Sequence, residues 1–191
     1  MESKNDVPVV EAKNRTEWRN WLTKNHQSEN AAWLVIYHKK SDVPSVYYAE
    51  AVEEALCFGW IDSKGNKRDA ESSYLYFARR KPKSNWSKPN KERVQRMINQ
   101  GLMTPAGANF ITLAKETGTW DALTDIDNLV IPDDLQELFG ANKIAFDNFQ
   151  KFPPSAKRMI LEWIMNAKKQ ETRQKRMEET IQLAAENKRS R

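Results

Sequence analysis

Between Gly59 and Arg96 the sequence gathers the side chains best suited to hold a ligand: Trp60, Asp62, Ser63, Arg79, Arg80, Ser84, Asn85, Trp86, Ser87 and Asn90. From Lys64 to Arg96 eleven Lys or Arg stand against three acids, a local balance of +8 in a chain that carries only +5. Guanidinium forks grip phosphate or carboxylate in pairs, and indole faces accept cations and planar groups. An anionic or planar ligand is therefore expected. The ligand-binding candidates are Trp60, Asp62, Lys64, Arg79, Arg80, Ser84, Trp86, Ser87 and Asn90.

On a strand, Trp60, Asp62 and Lys64 share one face, with Ile61 and Ser63 on the other. An acid beside a tryptophan there serves either as a ligand acceptor or general base, or as the partner of an arginine on the next strand, with Trp60 in the core. Arg79, Arg80, Lys81 and Lys83 lead into a proline-bearing loop, and Ser87 to Asn90 opens a helix whose first N–H groups attract anions. Either these groups converge on an oxyanion, or the cations are solvated and Ser87 only caps. The segment contains no Walker or dinucleotide glycine pattern.

Other chemistries are constrained. Cys57 is the single cysteine, so no intrachain disulfide forms, and with only His26 and His38 a His/Cys zinc site is not expected. Cys57 sits in the apolar run Ala55-Leu56-Cys57-Phe58 and reads as a buried thiol rather than a nucleophile. No metal, cofactor or catalytic residue is assigned. No run approaches the ~18 apolar residues that cross a bilayer, and the first residues lack the apolar core of an export signal. A cytoplasmic address is the expectation.

The elements that must position these residues follow from periodicity. Seven Trp, seven Phe and five Tyr in 191 residues supply a core for one or two domains. Residues 1–7 are expected to be unordered. Asn14 and Glu17 form a capping-box pattern before a helix over 15–25 with Trp18, Trp21 and Leu22 on one face. Residues 32–38 read as a central strand, 47–58 as a helix stopped by Gly59, and 60–67 with 74–79 as an antiparallel hairpin. Helices follow from Ser87 or Asn90 to Gln100, and from Thr104-Pro105 to Gly118. The stretch 120–132 is acidic and irregular, a candidate linker. Four helical segments succeed it, with fraying expected after Asn187. The fold class is α+β: a small antiparallel sheet packed with helices over 8–119, then a helical module over 131–187.

Net charge runs −3 over residues 1–63, +8 over 64–96, −6 over 115–150 and +6 over 151–191. The basic blocks either mark binding faces or are neutralised within the molecule by the acidic one. In the last block ten basic and five acidic residues from Lys157 to Arg191 interleave, as they do on a solvated helix with i, i+4 pairs.

The run Glu54-Ala55-Leu56-Cys57-Phe58-Gly59-Trp60-Ile61-Asp62-Ser63 resembles the central signature of the YdeI/OmpD-associated, or bacteriocin-protection, family. Arg79-Arg80, Ser84-Asn85-Trp86-Ser87 and Asn90-Lys91 are similar to its second signature, continued by Gly101-Leu102-Met103 and Pro105-Ala106-Gly107. Trp163-Ile164, Ala167-Lys168-Lys169 and Glu171-Thr172-Arg173 are similar to its short helical module. The resemblance spans about Trp18 to Ala184. It implies protection against antimicrobial peptides and association with an outer-membrane porin, which is a phenotype and a partner rather than a reaction.

Three functions are therefore expected to compete. The first is a non-catalytic binding or stress-protection protein holding an anionic small molecule or phosphate-bearing ligand, with a protein partner possible. The second is a nucleic-acid-binding module using the two basic blocks. The third is an enzyme on a nucleotide or phosphorylated metabolite, with Asp62 as base and Arg79 as anion clamp.

Overall fold

A computed structural model describes residues 3–191. The chain divides into two compact units, Met1–Asp121 and Ala122–Arg191. The first is built on a five-stranded sheet of strands β1 (Ser3–Lys4), β2 (Val7–Glu11), β3 (Ala31–Tyr37), β4 (Trp60–Lys67) and β5 (Ser72–Arg79), in the order β1-β2-β3-β5-β4. Helices α1 (Arg15–Asn25), α2 (Tyr48–Cys57), α3 (Lys88–Asn99) and α4 (Pro105–Glu116) complete it. The α+β class expected from periodicity is observed, with β2 and β3 parallel and the other neighbours antiparallel.

Local chemistry explains where the elements begin and end. The Asn14 side chain accepts from the Glu17 N–H at 3.0 Å, and the Glu17 carboxylate accepts in return from the Lys13 N–H at 2.9 Å. One orphan donor at the α1 N-terminus is thus met, and the Glu17 carboxylate reaches past the Asn14 N-cap to the residue before it. Trp18 and Leu22 face inward together, one turn apart. Thr104 caps α4 just before Pro105, and its hydroxyl also donates to the Cys57 carbonyl at 2.6 Å. That bond joins α4 to the end of α2. Gly107 makes the approach possible, because a Cβ there would overlap the Cys57 carbonyl.

One face of the sheet packs on the helices. Ala32, Leu34, Trp60 and Phe77 meet Trp18, Leu22, Val52, Leu56, Trp86, Val94 and Met97 in a single core. Each large side chain fully removed from water there contributes on the order of 2–3 kcal/mol before entropy is counted. The other face carries a cluster made of strand residues: Val9, Trp33 and Val35, with Val7, Tyr37, Tyr74 and Tyr76 packed against them.

The second unit is helical: α5 (Thr124–Asp127), α6 (Asp133–Ala141), α7 (Lys143–Lys151), α8 (Pro154–Met165) and α9 (Gln170–Ala185). Its core joins Leu135, Phe139, Phe149, Ile160, Ile164, Met177 and Ala184. Among the described residues no helix is long and apolar enough to cross a membrane.

Three local expectations are corrected. Residues 3–7, expected without order, enter a hairpin; residues 1–2 lie outside the described residues. Asn5 and Asp6 both take left-handed φ, 53° and 60°, the backbone of a two-residue turn that matches strand twist. The acidic stretch 120–132 is not irregular throughout, because it contains α5, and Leu123 and Ile126 are buried in the second core. The end beyond Asn187 does not fray: Ser190 is buried within 3.2 Å of the Thr180 hydroxyl, and the Arg191 guanidinium lies 4.0 Å from the Trp163 ring centroid.

Candidate functional site

The structure distributes the nine candidate residues over four places. Trp60 and Arg79 are direct partners across β4 and β5, and both line a cleft of about 190 Å³ with His26, Gln27, Phe58, Ala106 and Phe110. Gly59 turns the chain from α2 into β4 with φ +75°, and a Cβ there would overlap the Phe110 ring. That close approach packs α4 against the cleft wall.

The Arg79 guanidinium is held by backbone. Its Nε–H is shared between the carbonyls of His26 and Glu29, each 3.0 Å away, and Nη2 donates to the Gln27 carbonyl. Among the described residues its Nη1 has no partner. The Trp60 indole N–H donates to the same His26 carbonyl at 3.4 Å, and the His26 ring sits 5.1 Å from Phe58. Trp60 is fully buried and Phe58 nearly so, which gives the core reading of Trp60. They form the floor of a recess in which one fixed cation and the half-buried Phe110 ring are presented.

Arg80 points elsewhere. It is buried, its Nη2 donates to the Asn85 carbonyl at 2.8 Å and the Ser84 carbonyl at 3.5 Å, and its guanidinium stacks on Trp86. Trp86 in turn tilts against Trp120, ring centroids 5.0 Å apart. The Ser84 hydroxyl donates to the Lys81 carbonyl at 2.6 Å. Ser87 occupies the N-cap of α3, but its hydroxyl makes no capping bond; its carbonyl accepts from the Asn90 and Lys91 N–H groups at 3.0 Å. The Asn90 side chain accepts from Arg93 Nη1 at 2.8 Å. This loop is closed on itself by carbonyls and rings.

Asp62 accepts a hydrogen bond from the Tyr48 hydroxyl at 3.0 Å. Burial, then the nearby Asp62 charge, raise the Tyr48 phenol above its ordinary range. Tyr48 also lines a wider groove of about 660 Å³ with Ile36, Tyr37, His38, Lys39, Tyr47 and Ala49. The expectation that Lys64 shares a face with Trp60 and Asp62 is corrected: a register shift between Asp62 and Gly65 puts it on the strand-only face, its ammonium 5.3 Å from the Tyr76 ring centroid and 5.5 Å from that of Trp33.

At the end of α2, Cys57 is fully buried, and its thiol is pushed up to about 11, first by burial and then by the Glu54 charge. Among the described residues no group of three or more His, Cys, Asp or Glu is placed to hold a metal ion. The cleft residues absent from the sequence-based set are His26, Gln27, Phe58, Ala106 and Phe110. Phe58 and Gly59 adjoin Trp60 and were legible as a unit, whereas His26 and Phe110 reach it only through the packing of α1 and α4.

Residues 10–110 match the family model described as Domain of unknown function (DUF8412). Residues 128–187, within the helical unit, match the model described as Bacteriocin-protection, YdeI or OmpD-Associated. No curated protein and no solved structure matches the chain.

Proposed function

The chain belongs to the family described as Domain of unknown function (DUF8412), and from that premise we propose that it is a non-catalytic binding protein, of the protective kind that the YdeI or OmpD-associated match in its helical unit suggests. Its ligand is a small anion carrying a planar group, taken up in the Arg79 cleft. The supporting observation is the convergence of a clamped guanidinium with Trp60, Phe58 and Phe110 around about 190 Å³. That space suits one ring bearing a carboxylate or phosphate. The clamp has a physical advantage: the cation gives up little rotamer freedom on binding, because three carbonyls already hold it.

Two features favour binding over catalysis in this region. The Cys57 thiol, raised by burial, supplies no thiolate at neutral pH. The Asp62 carboxylate, the candidate base, is already engaged by Tyr48 rather than directed with Arg79 at a shared substrate.

The test is a titration of phenyl phosphate and of inorganic phosphate into the full chain, followed by the Trp60 indole N–H resonance. A saturable shift is expected with phenyl phosphate, and a weaker one with inorganic phosphate, which has no ring. Arg79→Lys and Phe110→Ala, checked for an unchanged circular dichroism spectrum, should each weaken it. Absence of a saturable shift, or equal affinity in both variants, overturns the reading.

A further inference from the structure

We propose that the strand-only face of the sheet is a binding surface for single-stranded nucleic acid, separate from the Arg79 cleft on the opposite face. Trp33 on β3 and Tyr76 on β5 are direct cross-strand partners, their ring centroids 4.8 Å apart and their planes at 67°. Tyr74, two residues back along β5, lies 6.0 Å from Trp33 and opposite Val35. Tyr37 packs on the same cluster. Tyr37, Tyr74 and Tyr76 are half-buried, so these three rings sit in the surface, and Trp33, 2% exposed, is the floor beneath them.

The cations are arranged around these rings. The Lys4 ammonium lies 3.9 Å from the Tyr74 centroid and 5.1 Å from that of Trp33. Lys64 stands 5.3 Å from Tyr76, and the Arg68 guanidinium 5.7 Å from Tyr74 and 6.0 Å from Tyr37. Arg68 is answered by Glu11 at 2.7 Å. Among the described residues neither Lys4 nor Lys64 pairs with a carboxylate, so within the protein their charge faces only aromatic rings, with water on the other side. The Trp33 indole N–H, buried in this cluster, has no hydrogen-bond partner.

A single strand satisfies both components at once. Its unstacked bases take the ring faces, and its phosphates take the lysines displaced from them. A duplex does not, because its bases are already stacked against each other. A peptide partner would use the apolar rings but leave the two unpaired lysines without a matching charge unless it were acidic. The long lysine stems make the exchange inexpensive: each ammonium needs only to swing off a ring to reach a phosphate beside it.

The experiment is fluorescence anisotropy of a labelled oligothymidylate of about twelve nucleotides with the full chain, at low and raised salt. Saturable binding is expected, weakening linearly in log affinity against log salt. An abasic oligomer of equal length and charge should bind about tenfold more weakly. Tyr76→Phe should retain affinity, Tyr76→Leu should lose about tenfold, and Arg79→Lys should change nothing. The proposal is overturned by no saturable binding at low salt, by equal affinity for the abasic oligomer or a duplex, or by a folded Tyr76→Leu protein that binds like wild type. The Arg79→Lys arm separates this surface from the phenyl phosphate site, so either reading can fail alone.

Discussion

The Arg80 guanidinium carbon lies 3.8 Å from the centroid of the Trp86 ring, and the two residues are 5% and 2% exposed. Burial pushes the Arg80 guanidinium down to about 10. A basic group whose folded value is depressed binds its proton less tightly when folded, so the charge costs stability at neutral pH, and that cost fades only above about 10. Stacking on Trp86 and the Asn85 carbonyl offset it. Arg80→Lys should therefore lower stability by roughly 1–2 kcal/mol, because an ammonium cannot both stack flat and reach the carbonyls. Arg80→Ala should cost roughly 3 kcal/mol, since it also opens a cavity under Trp86. Urea unfolding followed by tryptophan fluorescence measures both. Midpoints equal to wild type would show the stacked pair to be incidental.

A second buried charge binds the helices together. Glu54, 1% exposed, has one carboxylate oxygen 2.5 Å from Arg15 Nε and the other 2.5 Å from Arg19 Nη1. Arg15 continues to Glu53 at 3.0 Å, Glu53 to Arg96 at 2.9 Å, and Arg19 to the Leu102 carbonyl at 2.7 Å. The network thereby ties α1 and α2 to α3 and the turn after it. Glu54→Ala is expected to cost about 3–5 kcal/mol, because it strands two partly buried guanidiniums. A cycle with Arg19→Ala should reveal coupling above about 0.5 kcal/mol. Additive losses in urea unfolding would contradict the network.

Much of the fold was legible because its signals are local. The Asn14 cap, the Thr104-Pro105 start and the stop at Gly59 mark helix ends that the structure places at the same residues. The first two strands were not legible, because β2 is short, contains Pro8 and pairs in parallel with β3, more than twenty residues away. The candidate site was harder to read. Arg79 and Arg80 are adjacent, but one is claimed by the carbonyls of residues 26, 27 and 29 and the other by those of residues 84 and 85. Sequence proximity gave the charge, and only packing decides what each guanidinium faces. Trp33, Tyr74 and Tyr76 looked like strand formers, and their shared surface emerges from register alone.

Cys57 should be inert in the native protein. Its thiol is fully buried and raised to about 11, first by burial, so almost none is thiolate near neutrality. A disulfide reagent at about pH 8 should leave the folded chain unmodified while reacting fully in denaturant, since free thiols there titrate near 8.5. Labelling of the folded chain should follow the opening rate as denaturant rises. Rapid stoichiometric reaction without denaturant would mean that the end of α2 is open.

Acid stability of the helical unit should depend in part on the Arg173–Asp134 ion pair. Arg173, on α9, donates to Asp134, on α6, from Nε at 2.7 Å and Nη2 at 2.9 Å, and the Leu135 N–H adds a third bond at 2.9 Å. Arg173 is the first cause holding the Asp134 carboxyl below the ordinary carboxylate range. A depressed folded value means that the unfolded chain binds the proton more tightly. The contribution is therefore complete above the unfolded value of about 3.9 and is lost as pH falls through the folded one. Trp163 is the single tryptophan of Ala122–Arg191, so a fluorine-labelled Trp163 resonance reports unfolding of that unit by itself. Asp134→Asn should be less stable than wild type at about pH 6, with the gap closing toward about pH 2, because the neutral amide has no proton to gain. Arg173→Lys, which keeps the charge but not the fork, should fall between them. Parallel acid profiles for wild type and Asp134→Asn would remove this pair from the account.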